Sequence, residues 1–232
     1  MKNAVKKNYG SLKTLTVEGR VGGPCVILFH GYGADSADLL PLSDYIRLSK
    51  DVTWIFPEAT MQVIIAPGFS GRAWYQIDVQ RLERSLSSGE PVDLSQHHPP
   101  GLESASRQAG ELYDLVIKSH SQVFIGGFSQ GAMLATELAL THSRKPDGLV
   151  IMSGSLICED RWKRLALSAS GLKFIQTHGK NDALLGYEYA EKLFNLLTDQ
   201  GLIGEFYAFS GGHEIPPKAL EKIQYYLGAL VR

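Results

Sequence analysis

The ten residues at 125–134, IGGFSQGAML, leave this chain little conformational choice. Residues 123–125 are β-branched and aromatic and suit a buried strand. AMLATELAL at 132–140 is built of strong helix formers, so a strand must turn into a helix within about two residues. Gly127 and Gly131, lacking a Cβ, let the two elements approach closely, and a non-glycine residue at the bend is held in a strained backbone conformation. A turn of this kind lifts one side chain out at the top of a sheet. Here that side chain is Ser129.

The rest of the chain supplies a sheet for the turn to sit on. Short apolar runs at 26–29, 52–56, 123–125, 149–152, 174–177 and 205–209 read as strands. Between several of them lie amphipathic stretches, such as Ala105, Ala109, Leu112 and Val116, or Tyr189, Leu193, Leu196 and Leu197, spaced as on one face of a helix. Alternating strands and helices imply right-handed crossovers and an α/β fold with a mostly parallel central sheet, covered by helices on both faces. The 232 residues, with no low-complexity stretch or internal repeat, read as a single domain, 1–232. One stretch breaks the rhythm: 81–100, RLERSLSSGEPVDLSQHHPP, is polar and aperiodic, and reads as a lid or as a solvated connection.

Composition excludes several classes of function. A formal net charge of −1 gives nucleic acid no evident grip, and 44% hydrophobic with 20% charged residues is ordinary for a soluble protein. No stretch suggests stable membrane insertion, and the basic N-terminus lacks the apolar core of a secretory signal, so a cytoplasmic location is expected. Cys25 and Cys158 form no disulfide framework and no metal-ligand spacing, which leaves them as buried or idle thiols.

A serine hydroxyl needs a base within reach and an acid to orient that base, and in parallel sheets ligands bind beyond the carboxyl ends of the strands. Of the seven histidines, His213 follows the last strand in FSGGHEIPP, among glycines and a proline that mark a positioned loop. His178 reads as a structural histidine at a strand end, and His30 opens a different loop. Asp182 stands in a turn just after the strand at 174–177, where it reads either as the acid or as an Asx-turn residue. Asp147 precedes its strand and Asp199 belongs to a helix end. The order Ser129, Asp182, His213 is that of α/β-hydrolases. FHGYGAD at 29–35 also follows a strand directly; its turn can aim the Tyr32 N–H at a developing oxyanion, with a second N–H from Gln130.

LFHGYGADSADLLPL, GGFSQGAMLATELAL, HGKNDALL and GGHEIPP together resemble the small phospholipase/carboxylesterase family that includes the acyl-protein thioesterases, over nearly the whole chain. The resemblance implies a compact α/β-hydrolase without a cofactor, with Ser129, Asp182 and His213 as triad and the Tyr32 and Gln130 N–H groups as oxyanion donors. The departure is Tyr32, where thioesterase members commonly carry leucine in HGLGD; a backbone donor survives that change, a thioesterase-like wall beside the acyl group does not follow. Substrate contacts are sought in MQVIIAPGFSGRAWYQI, with Phe69, Trp74 and Tyr75 as binding residues, although residues 61–65 read equally as core. The expected activity is hydrolysis of small carboxylic esters with short to medium acyl chains. The alternatives are a lysophospholipase or acyl-protein thioesterase acting on long chains, a peptidase, and a non-catalytic binding protein on the same fold, the last disfavoured by an unbroken triad. No metal is called for, and exposed apolar patches leave room for a homodimer.

Overall fold

The strands at the centre of the molecule are apolar on both sides, because each is covered twice. In the computed structural model, which describes residues 3–78, 80–81, 87 and 91–232, Cys25, Ile27 and Phe29 of β3 (Cys25–Phe29) join one core cluster while Val26 and Leu28 join the other. Alternate side chains of a strand point to opposite faces, so a run without polar residues needs a layer on each.

Eight strands form the main sheet in the order β1-β2-β4-β3-β7-β8-β9-β10. From β4 (Thr53–Pro57) through β3, β7 (Val123–Phe128), β8 (Gly148–Met152), β9 (Lys173–Gly179) and β10 (Ile203–Phe209) all neighbours are parallel. β1 (Ala4–Tyr9) and β2 (Leu12–Val17) extend one edge antiparallel. One face carries α2 (Leu102–Val116), α3 (Gln130–Thr141), α4 (Glu159–Ala166) and α5 (Tyr187–Asp199), through Leu112, Leu134, Trp162 and Leu193. The other carries the short α1 (Leu42–Tyr45) and α6 (Pro217–Leu230), through Leu42, Ile223 and Leu227, on Trp54, Phe124 and Val150.

The six expected strands are all present, within a few residues of their expected ends. β1 and β2 were not expected. Their sequence alternates, with Leu12, Thr14 and Thr16 buried, instead of running apolar, and the outer strand shows Lys6 and Lys7 to solvent, as edge strands do. Residues 61–65 correct the core reading: they belong to a separate hairpin of β5 (Met61–Ala66) and β6 (Phe69–Ala73), on which Ile64 is 83% exposed and Phe69 73% exposed. Of the aperiodic stretch 81–100, residues 82–86 and 88–90 lie outside the described residues, so the choice between lid and connection falls partly on residues not described here. Residues 91–101 form no strand and no long helix, and Leu94, His97 and Pro99 face the cavity at the carboxyl edge of the sheet.

Candidate active site

The chain turns from β7 into α3 at Ser129, whose backbone has φ 55° and ψ −119°, a region L-residues rarely occupy. Three bonds hold the strain: Ser129 N–H donates to the Met152 carbonyl at the end of β8 (2.9 Å), and the Ser129 carbonyl accepts from Ala132 and Met133 in the first turn of α3. The flanking glycines are needed for space. A Cβ on Gly131 would lie 2.0 Å from the Phe29 carbonyl oxygen, and one on Gly127 would lie 2.4 Å from the Gly131 carbonyl carbon. The helix thus packs against the end of β3 at backbone distance, and only its serine projects.

Asp182 and His213 follow the ends of β9 and β10. The ladder continues past the strands, with Lys180 N–H donating to Phe209 O (2.8 Å) and Asn181 N–H to Gly211 O (2.9 Å), which clamps the two loops together. Asp182 Oδ1 accepts the N–H groups of Leu184 and Leu185, both at 2.9 Å, the Asx-turn reading of this residue. Oδ2 accepts His213 Nδ1–H at 2.7 Å. One carboxylate thus makes both sets of contacts, the turn through Oδ1 and the imidazole through Oδ2. Burial alone would push its carboxyl up, but the hydrogen bonds from His178 and His213, the charge of His213 and the Leu185 N–H outweigh it and hold the carboxyl well below the usual range. With Nδ1 committed to Asp182, His213 presents Nε2 as its free nitrogen. The ring packs on Phe128, the residue before Ser129, at 4.8 Å between centroids. Ser129 and His213 line one cavity, and the described residues show no hydrogen bond between them; such pairs often tighten only around substrate.

The loop carrying Tyr32 is fixed from beneath by His30, which is buried. Ala59 N–H donates to His30 Nε2 (3.2 Å), so Nδ1 carries the hydrogen and donates to the Gly31 carbonyl (2.7 Å). Burial lowers the pKa of His30, against an opposing pull from the Gly31 carbonyl and nearby acids. Farther along, Gly33 N–H donates to Arg72 O and Arg72 N–H to Ala34 O, so β6 pins the loop at its far end. Neither the Tyr32 N–H nor that of Gln130, first residue of α3, donates to an acceptor among the described residues. Both residues line the cavity beside Ser129.

The cavity holds about 780 Å³ and is walled chiefly by apolar side chains, among them Ile65, Ile77, Leu94, Met133, Ile157 and Leu185. Tyr75 is part of its lining. Trp74 and Phe69, expected beside it, are not. Trp74 lies behind the wall: its indole N–H donates to the His30 carbonyl (2.9 Å), its backbone N–H to Gln130 Oε1 (2.9 Å), and its ring meets Phe29 edge-on. Phe69 sits out on the hairpin. Ile64 and Ile65 of that hairpin do reach the cavity. Two residues that sequence reasoning set aside belong to the site's support, His30 and His178; the i, i+4 spacing of His178 and Asp182 was the available signal for the second. Among the described residues no group of three or more His, Cys, Asp or Glu side chains is placed to hold a metal, and no helix is long and apolar enough to cross a membrane.

Comparison with known proteins agrees with this fold. Acyl-protein thioesterase 1 of Emericella nidulans is 25% identical over 224 residues, covering 89% of this chain and 90% of that protein. Carboxylesterase SOBER1 of Arabidopsis thaliana is 23% identical over 210 residues, 87% of this chain and 88% of its own. Among solved structures, esterase PE8 superposes with a TM-score of 0.74 at 23% identity, over 92% of this chain and 99% of that one. Zea mays acyl-protein thioesterase 2 does so with a TM-score of 0.72 at 23% identity, over 93% and 97%. These neighbours share the α/β-hydrolase fold. The sequence profile described as phospholipase/carboxylesterase matches residues 20–231, and the chain belongs to that family of hydrolases.

Proposed function

We propose that the protein is a serine esterase that cleaves carboxylic esters of short to medium acyl chains through an acyl-enzyme on Ser129. One observation carries the reading: a serine in a strained strand-to-helix turn shares a cavity with a histidine whose Nδ1–H is bound by a buried carboxylate at 2.7 Å. His213 Nε2 takes the proton of Ser129 as its oxygen attacks the ester carbonyl, then delivers it to the departing alkoxide; water repeats the cycle and frees the acid. Asp182 holds the imidazole in the tautomer that leaves Nε2 bare and stabilises the cation formed on it. The unpaired N–H groups of Tyr32 and Gln130 receive the oxyanion, each worth about 3 kcal/mol of barrier.

Apolar walls suit an acyl chain, each buried methylene adding about 0.8 kcal/mol. A second reading, a thioesterase or lysophospholipase for long chains, is supported by the cavity's size and by Ile64 and Ile65 carrying apolar surface out to its rim. Hydrolysis of p-nitrophenyl esters of graded acyl length, with the matching acyl thioesters alongside, separates the two. A profile peaking at short or medium esters supports the first reading; one that rises to the longest chains, or favours thioesters, replaces it with the second. Ser129→Ala must abolish turnover in either case.

A further inference from the structure

Asp182 has a neighbour that a relay of serine, histidine and aspartate does not require. His178, near the end of β9, is fully buried (0% exposed), and its Nε2 lies 2.6 Å from the Leu185 carbonyl oxygen and 3.2 Å from Asp182 Oδ2. A carbonyl only accepts, so Nε2 carries the hydrogen. Nδ1 is buried without a hydrogen-bond partner among the described residues, and is the bare nitrogen. The Nε2–H is thus shared between the backbone that closes the 182–185 turn and the very oxygen that accepts His213 Nδ1–H. An apolar side chain of similar size would fill this space without stranding a buried ring nitrogen, so packing alone does not account for a histidine here.

We propose that His178 is a positioning residue of the hydrolytic site, its Nε2–H fixing the Asp182 carboxylate in the orientation that receives His213 and drawing part of the negative charge away from Oδ2. The inference rests on the proposed roles of Ser129, Asp182 and His213. The carboxylate is otherwise held by Oδ1, through the Leu184 and Leu185 N–H groups, which leaves rotation of Oδ2 about that anchor as the motion His178 opposes. The titratable groups around the pair are few. His213 approaches from the loop after β10, and Tyr187 of α5 stands with its ring 6.4 Å from that of His178. Glu214, beside His213, accepts the Gly212 N–H, and Lys180 is exposed in the turn before Asp182.

The test compares His178→Phe, which has no donor, with His178→Gln, whose side-chain amide places an N–H near the position of Nε2. In the phenylalanine variant kcat on a p-nitrophenyl ester falls roughly tenfold while KM stays within about twofold, because the base is less often aligned. The acidic limb of kcat/KM also moves to higher pH by about half a unit, since Oδ2, relieved of its second donor, holds the cation forming on His213 more tightly. The glutamine variant restores both. A histidine with a merely structural role lowers melting temperature without moving that limb. An unchanged kcat and limb in folded His178→Phe overturns the proposal, as does a loss that His178→Gln fails to repair. Should His178→Phe not fold, imidazole NMR decides: the His178 Nε2–H proton is expected to shift when Asp182 is replaced by Asn, and an unmoved signal overturns the proposal. Ser129→Ala measured beside these variants keeps the two levels apart. Loss there with silent His178 variants overturns this inference alone, whereas a fully active Ser129→Ala overturns the reading beneath it as well.

Discussion

Gln130 was singled out for its backbone N–H, yet its side chain makes the sharper prediction. Gln130 is 2% exposed and its amide bridges the backbone of Tyr75 on the cavity wall and of Trp74 behind it, accepting from Trp74 N–H and donating to the Tyr75 carbonyl, each at 2.9 Å. Gln130→Met keeps the length of the side chain and loses both bonds, leaving a buried donor and a buried acceptor unmatched. Each such group costs about 1–3 kcal/mol, so the variant loses roughly 2–6 kcal/mol of a total of about 5–15. At about 2–4 °C per kcal/mol for a chain of this size, its melting temperature falls by roughly 4–24 °C. Gln130→Glu keeps the acceptor but turns a carboxylate toward the Tyr75 carbonyl, and should fall at least as far. Residue 130 retains its N–H in both, so well below the transition kcat drops far less than in Ser129→Ala, while KM rises as the wall at Tyr75 loosens from its backing. Thermal denaturation followed by circular dichroism, with ester kinetics at 15 °C, checks all three statements. A Gln130→Met protein melting within 2 °C of wild type, with unchanged KM, would refute the reasoning.

Further outcomes follow from the same contacts. Asp182→Asn lowers kcat by about four orders of magnitude, because the amide favours the wrong imidazole tautomer; steady-state kinetics decide, and near-normal turnover would reassign the acid. The same variant reports on acid stability. The folded carboxyl titrates below the 3.8 of the unfolded chain, so the folded state binds fewer protons, its stabilisation is complete above about pH 4, and it is lost as pH falls through the folded value. Urea denaturation should therefore show a shallower loss of stability below pH 4 in Asp182→Asn than in wild type. Tyr32→Leu leaves the backbone donor in place and keeps kcat within a few-fold, whereas Tyr32→Pro removes the N–H and costs roughly 10²–10³ in kcat. Phe69→Ser, outside the cavity, leaves KM for every soluble ester unchanged, while Ile65→Ser, on its wall, raises KM for the longer acyl chains; equal effects of the two would contradict the mapped lining.

What could be read in the sequence was whatever burial makes emphatic. The central parallel strands β3, β4, β7 and β8 are nearly unbroken buried runs, and the glycines at 127 and 131 mark a backbone approach that the structure puts at van der Waals limits. Strands β1 and β2 at one edge carry a weaker signal, since β1 buries no residue fully and β2 mixes buried threonines with exposed Lys13. The hairpin misled for the opposite reason: Ile64 and Ile65 look like core and are exposed, and hydropathy alone cannot tell a wall of a cavity from an interior. Trp74 shows the same limit, because an aromatic side chain near a site can serve as its backing instead of its surface. His178 and His30 were passed over because each acts through a neighbour, and a tautomer is set by partners that linear sequence does not place.

The central claim is a covalent one, that Ser129 carries the acyl group, and it is best tested directly. The protein is incubated with a fluorophosphonate, its intact mass is measured, and the modified peptide is sequenced by mass spectrometry. The account predicts one adduct per chain, on Ser129, with loss of esterase activity in step with labelling and no adduct on Ser129→Ala. Labelling on another residue, or ester turnover that persists in the fully labelled protein, would contradict it.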